Sequence, residues 1–298
     1  MHISVLRDES IDGLSIRAGD IVVDGTLGGG GHTFEIVRRF GSGVKILGLD
    51  LDGDAIARAK ALIGDIDHDV TFRTAGFQDI DKVLRELNIV HTDRILLDLG
   101  FSTFQLEEGG RGFSFLKDEP LLMTMKKNPT EEDLTARDIV NTWEEKTLAD
   151  IIYGFGEERY SRKIAKAIIE ARKNKSIETT FDLVRIIDQA VGRAYKRMKI
   201  HPATKTFQAL RIATNSELTN LENVIEKGFD LLSVGGRMAI ISFHSLEDRI
   251  VKRAYVQLKQ KGCANIITKK PIIPNNIEIK ENPRSRSAKL RIIEKIQK

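Results

Sequence analysis

The 298-residue sequence holds one cysteine, Cys263, so it can form neither an internal disulfide nor a cysteine-ligated zinc cluster. No apolar run approaches the ~18 residues needed for a membrane-spanning helix. The opening residues, MHISVLRDE, lack the charged start and apolar stretch of a secretory signal. There are no internal repeats and no low-complexity tract. Together these absences lead us to expect a cytoplasmic protein with no membrane and no metal in its function. The balance that remains, 41% hydrophobic and 30% charged residues, is that of an ordinary globular chain. Its length suits one large domain or one domain carrying an insertion.

Acidic residues are scarce in two stretches. Residues 157–205 carry 13 Lys/Arg against 6 Asp/Glu, and residues 252–298 carry 13 against 3. Those stretches hold +7 and +10 of a chain whose net charge is only +4, which leaves −13 on the remainder. Such asymmetry points to a polyanionic partner met by two segments.

Short apolar runs at 21–24, 44–49, 69–73 and 93–99 alternate with helical spacing at 32–40, 53–63 and 79–88. Strands alternating with helices imply an α/β fold with a mostly parallel sheet. From about 101 to 204 the alternation stops. A polar, glycine-rich loop there precedes helical patterns near 144–153, 158–173 and 180–197, and Thr130 with Asp133 reads as a helix start. This is the pattern of an all-helical insertion. A long helix over 205–232, a buried strand at 238–243, a helix capped by Ser245 and ended by Gly262, and two weaker strands near 265–269 and 288–293 complete the sheet. The expected division is 1–104 plus 205–298 for the sheet domain and 105–204 for the insertion.

The chain is organised around VDGTLGGGGH at 23–32, with five glycines in the seven residues from Gly25 to Gly31. An acid-ended strand, a glycine turn and a helix with Phe34, Val37 and Phe40 on one face form a cradle for a nucleotide-like ligand. Two familiar signatures are missing. Counting G-x-G-x-x-G from Gly28 or Gly29 reaches Thr33 or Phe34 where the third glycine should stand, and no Gly-Lys-Ser/Thr follows. What remains is an acid, Asp50, at the end of the second strand, suited to two ribose hydroxyls. A ligand with a ribose and no pyrophosphate fits, and S-adenosylmethionine is the leading candidate. The glycines would face its methionine part, Asp50 its ribose and Phe77 its adenine, with Asp98 near the amino-acid end.

Six stretches then carry a resemblance: VDGTLGGGGH at 23–32, DLG at 98–100 with Gln105-Leu106, RGFSF at 111–115, HPATKTFQAL at 201–210, SFHSLEDR at 242–249 and NPRSRSAKLR at 282–291. In this order, and nearly end to end from His2, the chain resembles the MraW family, the bacterial small-subunit ribosomal RNA methyltransferases of type H. The resemblance implies a class I S-adenosylmethionine-dependent methyltransferase, with a Rossmann-like, mostly parallel seven-stranded sheet and an inserted helical domain for rRNA recognition. It implies methylation of the N4 amino group of a decoding-region cytosine in 16S rRNA, position 1402 in the usual RNA numbering. The family's cofactor contacts fall on Gly30, Gly31, His32, Asp50, Phe77, Asp98 and Gln105. The chain departs from the family pattern where Ser4 replaces a proline, where Ser102-Thr103-Phe104-Gln105 stands for Ser-Ser-Pro-Gln, and where Leu122 replaces the aspartate of Pro-Leu-Asp-Met-Arg-Met.

Amino-group methyltransferases often place a polar-Pro-Pro-aromatic tetrapeptide after the fourth strand, and none occurs here. The loop at 100–105 takes its place, so Ser102 and the loop's carbonyls are expected to hold the target amino group. His244, in the turn after the strand at 238–243, is a second catalytic candidate or a structural histidine at a helix start. Arg111, His201, Lys205, Arg211, Arg284, Arg286 and Lys289 are the candidates for contacting the RNA of the small ribosomal subunit, and a homodimer is left open. Other readings weighed are an assembly factor with a vestigial cofactor site, a methyltransferase acting on protein or a small molecule, and a dinucleotide oxidoreductase. The intact glycine turn and acids, the basic segments and the failed glycine spacing argue against each in turn.

Overall fold

The computed structural model describes residues 4–100, 110–127, 129–195 and 200–297, and the chain divides into two units. Unit one comprises Met1–Gly100 and Leu218–Lys298, and unit two comprises Phe101–Glu217.

In unit one, α1 (Arg7–Leu14) leads into β1 (Ile21–Asp24), α2 (Gly31–Phe40), β2 (Lys45–Asp50), α3 (Gly53–Ile63), β3 (Asp69–Thr74), α4 (Ile80–Glu86) and β4 (Thr92–Asp98). Its second part is built the same way and ends on a reversed strand. The sheet order is β3-β2-β1-β4-β5-β7-β6, with β5 at Leu232–Ser242, β6 at Ala264–Ile266 and β7 at Lys289–Lys295. The first five strands pair in parallel, and β7 runs antiparallel to both β5 and β6. This is the class I methyltransferase arrangement that the resemblance implies. The inner parallel strands are buried on both faces, so they read as nearly continuous apolar runs such as Ile95-Leu96-Leu97, all wholly buried, whereas the edge strand β3 has no buried residue.

The register creates a notch. Asp24, the last residue of β1, lies level with Gly48 of β2 and Leu96 of β4. Both neighbours run on for two residues, to Asp50 and Asp98. At 3.3 Å per residue each acid stands about 6.6 Å beyond the end of β1. The order of strands reverses at β1, and ligands of open α/β sheets bind at that point.

In unit two the described regular elements are helices: α5 (Ala136–Thr142), α6 (Glu145–Gly154), α7 (Ser161–Arg172), α8 (Thr180–Tyr195) and α9 (Thr204–Asn215). They enclose a core of their own that includes Ile139, Ile152, Ile164, Ile168, Ile187 and Leu210.

Several elements depart from the sequence expectations, each for a local reason. The helix expected over 205–232 is two helices, because Ser216 adopts φ +50° between α9 and α10 (Glu217–Leu231). The first of the two buries Phe207, Ala209 and Leu210 in the helical core, so the unit boundary falls at 217/218 where 204/205 was expected. Asp133 accepts the Thr130 amide but makes only a turn. The capping box sits five residues on, with Thr135 and Asp138 each accepting the other's amide. The helix after β5, α11 (Ser245–Gln260), is capped by His244 with Glu247 where Ser245 was expected to cap it. Neither α1 nor α12 (Asn276–Glu281) was expected.

Candidate active site

The glycine turn fills the notch and is stitched to both flanking strands. The Gly25 amide donates to the Leu96 carbonyl at 2.9 Å and the Leu27 amide to the Leu49 carbonyl at 2.9 Å. Gly28 has φ +52°, and its amide donates to Asp50 Oδ2 at 2.8 Å. An added Cβ at Gly28 would meet only the Thr26 carbonyl at 3.8 Å, so this side of the turn is open. Gly30 is different. It caps α2 at φ +79°, and a Cβ there would stand 2.6 Å from the Ala59 Cβ on α3. Its bareness serves helix packing. As a glycine it also leaves the start of α2 without a capping side chain, and first-turn amides have no partner inside their own helix.

Three carboxylates surround the turn. Asp24 is buried, accepting the Thr33 hydroxyl at 2.6 Å and the Thr26 amide at 3.2 Å. Burial pushes its pKa up to about 6 against those two hydrogen bonds, and the charge on Asp50 adds to the rise. Asp50 accepts one amide on each oxygen, Gly28 and Asp52 at 2.8 Å each, and burial raises its pKa against both. The cap of α3 is Asp52, which accepts the Asp54 amide, so Asp50 is not used as a cap. Asp98 accepts the Gly100 amide at 3.3 Å. Burial, reinforced by the charges of Asp24 and Glu247, pushes it up to about 7.

His32 joins this group. Its Nε2 lies 3.2 Å from the Val5 carbonyl, which can only accept, so Nε2 carries the hydrogen. That orients Nδ1 toward Asp98 Oδ2, 3.9 Å away. Ser4 lies against the same helix start, its Oγ 2.1 Å from where a Cβ on Gly31 would be. Phe77 is half-buried in a one-turn helix after β3, with its Cβ 3.2 Å from where a Gly25 side chain would begin. Sequence reasoning missed Thr26 and Thr33. The Thr26 hydroxyl accepts the Asp98 amide at 2.6 Å and so ties the turn to β4, while Thr33 holds Asp24. The signal was a threonine on either side of the glycine run.

The model of the MraW methylase family matches residues 1–296. This chain belongs to that family. Curated relatives agree over the full length. Ribosomal RNA small subunit methyltransferase H of Sulfurihydrogenibium sp. is 46% identical over 291 residues, covering 98% of each chain. The protein of the same name from Clostridium botulinum is 45% identical over 311 residues, covering 99% of each. A solved rRNA methylase from Streptococcus thermophilus matches 100% of both chains with a TM-score of 0.45 and 14% identity.

The other expected residues of this MraW methylase are dispersed. Ser102, Phe104 and Gln105 lie outside the described residues. Nδ1 of His244 accepts the Glu247 amide at 3.4 Å, a capping role. Arg111 is buried in unit two and donates to the Met125 carbonyl at 2.8 Å. His201 stacks on Phe115 with ring centroids 4.7 Å apart. Lys205 donates to the Glu157 carbonyl at 2.7 Å, and Arg211 grips Glu217 with two nitrogens at 2.7 and 2.6 Å. Leu122 is half-buried, and its carbonyl accepts the Ala136 amide. Arg284 and Arg286 lie exposed on the one-turn helix Pro283–Ser287. Lys289 reaches Asp248 at 3.1 Å. The structure thus brings together Asp24, His32, Asp50 and Asp98 around the glycine turn, while the expected RNA contacts are spread over both units.

Proposed function

We propose that the chain methylates 16S rRNA of the small ribosomal subunit, with S-adenosylmethionine as methyl donor and the N4 amino group of a decoding-region cytosine as acceptor. The observation that carries this is the notch, two half-buried carboxylates projecting past the end of β1 on either side of a glycine turn in a chain of the MraW methylase family. The residues suit the donor. Asp50 takes one amide on each oxygen, which leaves lone pairs for two ribose hydroxyls. The turn is open at Gly28, and Asp98 is a half-buried carboxylate suited to a cationic amino-acid group. Phe77 supplies a ring for the adenine.

When bound, the donor supplies an electrophilic methyl on a sulfonium. The rest of the task is orientation, because the cytosine amino lone pair is delocalised into the ring and is a poor nucleophile. Binding both partners would align N4 with the methyl carbon and sulfur, so that the N–C bond forms as the C–S bond breaks, S-adenosylhomocysteine leaves and one N4 proton is lost; such alignment removes several kcal/mol of barrier. Acceptors from the stretch 100–105, with Ser102 the side-chain candidate, would take hydrogen bonds from the N4 protons and localise the lone pair as attack proceeds. The target base is first extruded from its stack. The helical unit recognises the rRNA, and Arg284, Arg286 and Lys289 contribute phosphate contacts.

The test is transfer of tritium from labelled S-adenosylmethionine to small subunits that lack this modification, followed by nucleoside analysis. Label in N4-methylcytidine is the expected result. Label in protein, or in another nucleoside, would overturn the assignment.

A further inference from the structure

Helix α11 has the sequence SLEDRIVKRAYVQLKQ and only two acids. Both are already engaged. Glu247 is buried and accepts the Phe243 and His244 amides at 2.8 and 3.3 Å. Asp248 is held between Lys289 Nζ at 3.1 Å and Arg291 Nε at 2.6 Å. The inward face is apolar, with Leu246, Val251 and Tyr255 buried.

The outward face is different. Arg249, Lys252, Arg253, Val256 and Gln257 recur at the spacing of one helical face and line a shallow trough of about 520 Å³. All five are exposed, and Lys252 and Arg253 make no hydrogen bond or ion pair among the described residues. A helix face that merely meets water usually interleaves both signs, because like charges three and four residues apart repel. Here three cations crowd together with no acid among them.

The register locates this face. Ser242, the last residue of β5, pairs with Lys289, and Asp98 pairs with Ile241. The first turn of α11 therefore rises from the sheet edge that carries the glycine turn and its acids. At 16 residues the helix then runs about 24 Å away from that edge. Lys289, bound to Asp248, brings the basic tail against the same end of the helix.

We propose that the outer face of α11 is a track for the phosphodiester backbone of the RNA substrate, with Arg249, Lys252 and Arg253 on phosphates and Val256 as an apolar floor beneath a ribose. This rests on the rRNA reading above and adds a surface to it. Charge complementarity selects the occupant: a trough whose charged lining is all cationic and which starts at the edge that carries the glycine turn and its acids.

The test compares the wild type with a Lys252→Gln/Arg253→Gln double variant and a charge-preserving Lys252→Arg/Arg253→Lys control. Binding to a 16S rRNA transcript is measured by fluorescence anisotropy across a salt series. The Gln variant should bind about tenfold more weakly at low salt, and its slope of log K against log salt should shrink by about 1.5, from two lost phosphate contacts. Its KM for small subunits should rise, its dissociation constant for S-adenosylmethionine should hold, and the control should match the wild type. An unchanged affinity and slope in the Gln variant would overturn the proposal. So would a loss of binding to phosphatidylglycerol vesicles with RNA binding intact. A wild type that labels small-subunit RNA beside an indistinguishable Gln variant refutes the track alone, whereas a wild type that labels no RNA refutes the underlying function.

Discussion

At the scale of single residues, Asp98 is an acid beside the glycine turn whose ionisation the fold opposes. The carboxyl is half-buried, desolvation and the charges of Asp24 and Glu247 oppose its ionisation, and His32 Nδ1 is 3.9 Å away. Its folded pKa of about 7 lies above that of an unfolded aspartate. The protonated form therefore favours folding. That stabilisation is complete below about pH 4 and is lost as pH rises through about 7. A cationic ligand reverses the preference, because it pairs only with the ionised carboxylate. Affinity for S-adenosylmethionine is thus expected to fall by up to about tenfold per pH unit below pH 7, with a proton released on binding. Calorimetry in buffers of different ionisation enthalpy measures that proton directly. Asp98→Asn should weaken binding at pH 8 and flatten the dependence, leaving the smaller contribution of Asp24 near pH 6. A wild type with pH-independent affinity and no proton release would rule out the pairing.

At the scale of elements, the glycine turn separates two jobs that look alike in the sequence. Gly30 lets α2 approach α3, and Gly28 leaves a face open to ligand. A Gly30→Ala side chain would press on the Ala59 Cα at 2.8 Å, a backbone atom that cannot swing aside, at φ +79°. The expected loss is at least about 2 kcal/mol in urea denaturation. Gly28→Ala meets no close atom, so it should cost about 1 kcal/mol from its positive φ and should weaken cofactor binding more than its small stability loss implies. If the two variants lose stability equally, the division of labour is wrong. The sequence made the strands legible because each is an apolar run ended by an acid or a turn. It made the placement of Asp50 and Asp98 legible because both acids end strands, and the structure puts them at the ends of β2 and β4. It hid what depends on tertiary contact: the Ser216 break inside a continuous helical pattern, the capping of α11 by a histidine, and the hold of the Val5 carbonyl on His32. It also offered Arg111 and Arg211 as candidate RNA contacts, whereas the fold ties both to partners inside unit two.

At the scale of the whole molecule, two units bury separate cores, and the basic stretches divide between them. Residues 157–205 belong to the helical unit, and 252–298 to the sheet unit. Separate cores lead to the expectation that the two units differ in stability. Leu210 tests that expectation. It is wholly buried in the helical core, although the sequence pattern attached its helix to the sheet domain. Leu210→Ala should destabilise the helical unit by about 2–5 kcal/mol through lost burial and a residual cavity. Urea unfolding followed by amide hydrogen exchange should show faster exchange in α5 to α9, with the strands β1, β2 and β4 protected as in the wild type. Equal loss of protection in both units would mean that the chain unfolds as one cooperative body, and the two cores would then be two faces of a single folding unit.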